Sequence, residues 1–363
     1  MGLAVFMRDR ILADLNPLRL EGKPIPPNLV LIGRFIGLTL LLLRDIPFPR
    51  HLPYLELLDA LGSPGQFRAA LLLAAGLGYA LLFFGPFIRS GCFLLGSAML
   101  VGLLACRPCQ SVAHTYVACL FLVISMSGHA TGPWLVRMQV VMLYAGATIH
   151  KVLDPDWWNG RYFETLMIAR HQHPLYSYAA AQLPPLSLST LMGVVTILTE
   201  AAIAACLLRR RWYVPGVLLG VFFHSVMVLL MGQTFGPFYA AIMVSYVAFM
   251  SWPERLELSP GRFVSASRSK RILAAIDPDR RWTVRESSSF AVMAGDRRYS
   301  GLSAVRKMVV ASPLAYIGFA AAISIRSPWP LRDAAIVVLL LLTCTFVAEH
   351  ARKLIRSAIG FRR

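Results

Sequence analysis

The feature that most constrains this chain is a series of uncharged apolar stretches, repeated along most of its 363 residues. A helix needs about 20 apolar residues to cross the hydrocarbon core of a bilayer, and each stretch is close to that length. Only 15% of the residues are charged, whereas a soluble domain carries about 25%. The sequence therefore predicts an all-α polytopic membrane protein and excludes a disordered chain or a secreted disulfide scaffold.

Ten apolar segments are expected to cross the membrane as helices, because backbone polar groups in hydrocarbon must be hydrogen-bonded within the segment. The segments cover residues 28–44, 69–86, 90–106, 112–128, 134–151, 186–208, 213–231, 235–252, 311–326 and 331–348. The fourth and the ninth are short, and a re-entrant or tilted helix is the alternative for these two.

The distribution of Lys and Arg predicts the orientation. With the N-terminus inside, the inner segments hold most of the 36 basic residues, including the turn Arg209–Arg211 and the stretch 253–310. Because cytoplasmic loops are enriched in Lys and Arg, we expect both termini in the cytoplasm and the protein in the inner membrane of a cell. The net charge of +18 then faces anionic membrane lipid. Nucleic acid is not an expected partner, since the basic residues lack interleaved aromatics.

Four regions follow from this pattern. We expect a cytoplasmic N-terminal segment at 1–27, a transmembrane domain at 28–252, a small cytoplasmic module at 253–310, and a helix pair with a basic tail at 311–363. The module alternates basic and apolar residues and contains an Ala-Gly-Asp-Arg sequence typical of a hairpin turn. A small α/β insert is therefore expected there.

Ionisable residues inside or at the ends of the predicted helices are candidate functional groups, since such residues are costly in hydrocarbon. They are Arg34, His114, His150, Lys151, Glu200 and His224. The alternative for each is a structural role, in which the side chain pairs with a neighbour or reaches the membrane surface. The predicted topology places His114, His150 and Lys151 on one side at one depth, which predicts a pocket there.

Cys106 and Cys109 form a Cys-Arg-Pro-Cys motif at the outer end of the third predicted helix. The adjacent arginine favours a thiolate, and an outer location permits a disulfide. A structural disulfide or idle thiols, a redox pair, and half of a metal site with His114 are all open. No second cysteine pair completes a metal site, so no metal is predicted.

A series of short motifs runs between residues 25 and 253. The motifs are Arg34 in Gly-Arg-Phe-Ile-Gly, His114-x-Tyr116, Arg137-x-Gln139, Tyr144, His150-Lys151, Asp156-Trp157 with Gly160, Glu200, Arg209–Arg211, His224 and Phe235. In their order and spacing they resemble the HTTM family, whose best-known member is the vitamin K-dependent γ-glutamyl carboxylase. Two departures are visible. One extra residue separates Lys151 from the Asp-Trp pair, and no segment is long enough for the large outer β-rich domain of the carboxylase.

The resemblance implies an enzyme that acts on a reduced naphthoquinone or another lipid-soluble substrate, with Lys151 as the base and His114 stabilising the developing anion. It assigns catalytic roles to Lys151, His114, His150, His224 and Glu200, and cofactor binding to Tyr116, Gln139, Arg34 and Trp157. A lysine amine accepts a proton near neutral pH only where burial lowers its pKa from about 10.4. A protein or peptide substrate is also implied, but the missing outer domain weakens that expectation.

Two other functions stay open from the sequence. One is a non-catalytic membrane protein that binds lipid or assists the maturation or export of a partner, with the module at 253–310 as the docking unit. The other is a disulfide–quinone oxidoreductase that uses Cys106 and Cys109. Such enzymes usually relay electrons between two cysteine pairs, and this chain has one Cys-x-x-Cys.

Overall fold

The computed structural model of the protein describes residues 25–43, 62–84, 86–105, 111–127, 131–170, 174–231, 236–250, 255–261, 265–276, 282–324, 332–344 and 347. Most of these residues are helical. The first five helices are α1 (Pro27–Leu43), α2 (Pro64–Phe84), α3 (Ile88–Ala105), α4 (Val112–Met126) and α5 (Thr131–Leu153).

A connection of short helices joins α5 to the next long helices. It contains α6 (Pro155–Trp158), α7 (Arg161–Glu164), a π-helical turn (Thr165–Arg170) and α8 (Pro174–Ala181). The chain continues with α9 (Ser187–Leu208), a 3₁₀ turn (Arg210–Trp212), α10 (Tyr213–Met231), α11 (Gly236–Ser245) and a second 3₁₀ turn (Tyr246–Phe249).

Several helices have the length and composition of membrane spans. Within the described residues, four are long and apolar enough to cross a bilayer: Pro64–Phe84, Ile88–Ala105, Ser187–Leu208 and Arg210–Met231. Shorter apolar helices cover Pro27–Leu43, Val112–Met126 and Phe238–Phe249. These helices support an all-α membrane protein, whereas the expected ten crossings remain a prediction.

α1 lies at the centre of the helical bundle. It packs against α11 and α4, and also against α14 (Pro313–Ser324). Leu29, Ile32 and Leu40 on this helix have no exposed surface. The neighbouring helix α11 is buried to a similar degree. A helix that is apolar all round belongs in the interior, and these two helices form the core on which the others pack.

The peripheral helices follow one another around this core. Small residues let α2 and α3 approach closely: a Cβ atom on Gly91 would lie 2.8 Å from the carbonyl oxygen of Gly78. Contacts between small residues are the usual way in which helices pack in a membrane. The outward faces are apolar, as in Phe84 and Leu73, whose side chains are 92% and 75% exposed. Lipid is the solvent that fits such a surface.

The described residues between 255 and 311 form a small α/β unit. Its strands are β1 (Leu256–Pro260), β2 (Trp282–Val284), β3 (Phe290–Ala294) and β4 (Arg297–Ser300), and its helices are α12 (Ala266–Ile276) and α13 (Gly301–Ala311). The sheet order is β2-β1-β3-β4. The first two strands are parallel, and the other pairs are antiparallel.

The helix α13 belongs to this α/β unit. Counting Gly301–Ala311 and Ala315–Ser324 as one bent helix would raise the number of candidate spans to five. However, Ala304 and Ala311 of α13 are buried in one cluster with Leu256 and Val292 of the sheet. We therefore assign α13 to the sheet and not to a span. The side of the membrane on which this unit lies stays a prediction. The last described helix, α15, covers residues 332–344.

Candidate functional site

One face of α5 carries three polar side chains at intervals of seven residues: Arg137, Tyr144 and Lys151. Seven residues are almost two helical turns, so these side chains share a face and are spaced by about 10.5 Å along the helix. Thr148 lies on the same face between Tyr144 and Lys151. α5 packs against α9, and this face is where the polar contacts of the bundle concentrate.

Lys151 and Glu200 form an ion pair between α5 and α9. The Lys151 Nζ lies 2.7 Å from the Glu200 Oε2, and the two side chains are 13% and 9% exposed. The pair is thus almost enclosed, yet one side of it is accessible. A buried charge is tolerated only with such a partner, because both groups lose their hydration.

The Trp157 ring packs against the ammonium of the ion pair. The Lys151 Nζ is 4.8 Å from the centre of the Trp157 ring, which is within the range of a cation–π interaction. The other stacking partner of Trp157 is Tyr162, at a centroid distance of 3.9 Å. A local hydrogen bond holds this loop in place. Asp154 caps the short helix α6 by accepting a hydrogen bond from the Asp156 N–H at 3.0 Å.

Gly193 on α9 allows the Trp157 loop to sit against that helix. A Cβ atom at this position would lie 2.2 Å from the carbonyl oxygen of Trp157. Gly160 makes a similar approach, since a Cβ there would lie 2.6 Å from the Ser189 Oγ. Its φ of 81° is also one that glycine adopts without strain. The two glycines therefore determine where Trp157 lies relative to Lys151.

His224 on α10 leads into a buried chain of hydroxyl groups. Its Nε2 is 2.7 Å from the Tyr144 hydroxyl, which is hydrogen-bonded in turn to the Tyr246 hydroxyl. His224, Tyr144 and Tyr246 are all buried. Tyr144 lies seven residues before Lys151, on the same face of α5. The ion pair and the hydroxyl chain therefore occupy one polar face of this helix.

Tyr116 and Gln139 form a second polar contact between α4, α5 and α11. The Tyr116 hydroxyl donates to the Ser245 Oγ at 2.9 Å, and the Gln139 Nε2 donates to the Tyr116 carbonyl oxygen at 2.9 Å. The Gln139 Oε1 and the Thr148 Oγ1 are buried and have no hydrogen-bond partner among the described residues. A bound molecule can form hydrogen bonds with these two interior oxygens.

Three further predicted site residues, Arg34, His150 and His114, lie in the described part of the chain. The Arg34 Nε donates to the Leu82 carbonyl oxygen at 3.2 Å, a contact that ties α1 to α2. His150 is exposed, and His114 is half-buried in the first turn of α4. Cys106 and Cys109 lie outside the described residues, as does Phe235. Among the described residues, no group of three His, Cys, Asp or Glu side chains is arranged for a metal ion.

Sequence reasoning identified Lys151, Glu200, His224 and Trp157 but missed Tyr246 and Gly193. Tyr246 lies in an apolar segment and carries no charge, so the search for ionisable residues passed over it. A hydroxyl in the middle of such a segment is nevertheless a polar group that needs a partner. Gly193 is one glycine among several in membrane helices, and no local signal distinguishes it.

The connection between α5 and α9 has a hydrogen bond that predicts a pH effect. The Tyr176 hydroxyl donates to the Glu164 Oε2. Burial, together with this hydrogen bond, raises the pKa of Tyr176 to about 12. The neutral phenol is therefore favoured in the folded state, and its contribution to stability is complete below pH 10 and lost as the pH rises through 12.

We expect the difference in unfolding free energy between the wild type and Tyr176→Phe to shrink as the pH rises from 10 to 12. Thermal denaturation of the two purified proteins across this range measures it. Tyr178→Phe is a matched control, because this neighbouring tyrosine is 73% exposed. A difference that stays constant with pH would show that Tyr176 titrates normally in the folded protein.

Comparison with models of known protein families, with curated protein sequences and with solved structures finds no match for this chain. Its function is therefore inferred from the contacts of its own residues.

Proposed function

We propose that the protein is an integral membrane enzyme that acts on a quinol or another lipid-soluble acidic substrate, with Lys151 as the base. The observation that carries the proposal is the enclosed ion pair of Lys151 and Glu200, which lies on Trp157. The Thr148 hydroxyl, one turn away on α5, has no hydrogen-bond partner among the described residues. We also propose that the protein lies in a cell inner membrane with both termini in the cytoplasm. The proposal includes the resemblance of the chain to carboxylase-type HTTM proteins.

The ion pair can supply a base without exposing a charge to lipid. At 2.7 Å the ammonium and the carboxylate are in direct contact. Transfer of the proton to Glu200 leaves a neutral amine and a neutral acid, and a medium of low dielectric constant disfavours the charged forms. The Lys151 amine can then accept a proton from a phenol held beside it. Glu200 holds the proton that Lys151 has given up.

The surroundings of the pair suit a flat apolar substrate. Trp157 and Tyr162 stack on each other, and Tyr162 is 39% exposed. A reduced naphthoquinone, when bound, would supply an acidic phenol and the electrons for reaction with oxygen.

The hydroxyl chain contributes hydrogen-bond donors for a developing anion. The Tyr144 hydroxyl is bonded to His224 and to Tyr246, so its orientation is fixed by two neighbours. Donors that are held in place before the reaction stabilise charge more effectively than donors that must reorient. Thr148, one turn closer to Lys151, has a hydroxyl that is free to bond to a substrate oxygen.

The test measures the product of quinol oxygenation in membranes that contain the full chain. Wild type and Lys151→Ala receive reduced naphthoquinone and oxygen, with and without a glutamate-containing peptide, and mass spectrometry quantifies quinone epoxide. We expect epoxide from the wild type and none above background from Lys151→Ala. Lys270→Ala is the control, because this lysine is exposed on α12. Equal epoxide from both lysine variants, or none from folded wild type, would contradict the proposal.

A further inference from the structure

Arg137 is a half-buried arginine whose charge lacks a carboxylate. Its Nη1 donates to the Ala248 carbonyl oxygen at a long 3.4 Å, and its guanidinium carbon is 5.8 Å from the centre of the Tyr213 ring. Its Nε is buried and has no hydrogen-bond partner in the described part of the chain. No carboxylate among those residues is within ion-pair distance of it. A guanidinium offers five N–H donors, so most of this capacity is unused.

Three further arginines lie at the same end of the bundle. Tyr213, the ring under Arg137, lies two residues after the exposed run Arg209–Arg211 in the chain. Among the described residues, no acidic side chain lies within this turn or within the first two turns of α5. We call Arg137 and Arg209–Arg211 the arginine corner. The Tyr213 ring joins Arg137 to the turn, so positive charge gathers at this corner without a carboxylate among the described residues, and such a corner attracts an anion.

The surface beside the arginine corner is apolar. Leu208, Trp212 and Val214 are 59%, 45% and 51% exposed, and they flank the arginines at the ends of two helices long enough to span a membrane. An anion at this corner therefore lies next to hydrocarbon. A free phosphate would use the charges but leave this apolar surface uncovered, whereas a phospholipid would cover both.

We infer that the arginine corner binds the phosphate of an anionic phospholipid. The headgroup phosphate accepts hydrogen bonds from Arg137 and from the arginines of the turn, and the acyl chains lie along Leu208 and Val214. Trp212 is positioned at the boundary, as aromatic residues are at membrane interfaces. This inference does not rest on the proposed enzymatic function, since Arg137 and Lys151 are about 21 Å apart along α5.

The test measures lipid binding by the full chain in detergent. Purified wild type is titrated with phosphatidylglycerol or phosphatidylcholine, and native mass spectrometry counts the bound lipids. We expect phosphatidylglycerol to bind at least about tenfold more tightly than phosphatidylcholine. Arg137→Gln and the double variant R210Q/R211Q should each lose about tenfold in affinity for phosphatidylglycerol. Arg68→Gln, which removes an exposed charge from α2, should lose none.

Two further measurements keep the result interpretable. The double variant changes only exposed side chains, so its thermal denaturation should match that of the wild type even if Arg137→Gln folds poorly. Inorganic phosphate at millimolar concentration is added as a competitor. Loss of bound phosphatidylglycerol to phosphate would assign the site to a free anion and overturn the lipid assignment. Unchanged affinity in both arginine variants would overturn the site itself.

Discussion

Replacement of Lys151 with methionine is expected to lower the free energy of unfolding by about 3 kcal/mol. Methionine keeps much of the length and volume of the lysine side chain, so packing on Trp157 changes little. The Glu200 carboxylate, whose side chain is 9% exposed, would lose the cation that lies 2.7 Å away. Denaturation of the purified protein in mixed detergent micelles measures the loss.

The double variant Lys151→Met with Glu200→Leu distinguishes a lost ion pair from a packing defect. Removal of both charges takes away the unpaired carboxylate, so we expect the double variant to recover to within about 1 kcal/mol of the wild type. Lys270→Met, at an exposed position of α12, serves as the control and should be neutral. A double variant no more stable than Lys151→Met would mean that the two side chains are not energetically coupled.

Gly193→Ala is expected to destabilise the protein by about 2 kcal/mol. The added methyl carbon would lie 2.2 Å from the Trp157 carbonyl oxygen, which is backbone and cannot rotate away. Either α9 or the Trp157 loop must move, and the movement shifts the ring on which Lys151 lies. The variant should therefore also lower any activity that depends on Lys151.

Gly76→Ala is the matched control for this substitution. Gly76 lies in the interior of α2, and a Cβ atom there would meet nothing within 4 Å. Alanine is favoured over glycine in a helix, so we expect a gain of about 0.5 to 1 kcal/mol. Equal losses of stability in the two variants would show that the effect of Gly193→Ala does not depend on the contact with Trp157. A gain in Gly76→Ala beside a loss in Gly193→Ala would locate the effect at the Trp157 contact.

The sequence predicts where the apolar helices lie better than where they begin. The segment 69–86 was predicted from its apolar residues, whereas α2 begins at Pro64. The reason is a capping arrangement: the Ser63 N–H donates to the Gln66 Oε1 at 2.8 Å, and the Gln66 N–H donates to the Ser63 Oγ at 3.3 Å. Caps are polar, so a search for apolar runs excludes them. The same holds in the connection between α5 and α9, where the polar residue Asp154 caps the short helix α6.

The candidate site was predictable as single residues but not as an assembly. Lys151, Glu200 and His224 stand out because ionisable groups are rare in membrane helices. Their partners depend on how the helices pack. The hydrogen bond between His224 and Tyr144 spans 80 residues of sequence, and that between Tyr144 and Tyr246 spans 102. No local pattern specifies contacts over such separations.

The central position of α1 has a consequence for how the protein is made. This helix leaves the ribosome first among the described helices, yet its packing partners include α11 and also α14, the next-to-last described helix. At roughly 5 to 20 residues per second, about 10 to 60 s pass between the appearance of α1 and that of α14. During that interval Asn28 and Thr39, which are buried in the finished protein, face lipid or a temporary neighbour. The packing of α1 is therefore completed only when nearly all of the described helices have been made.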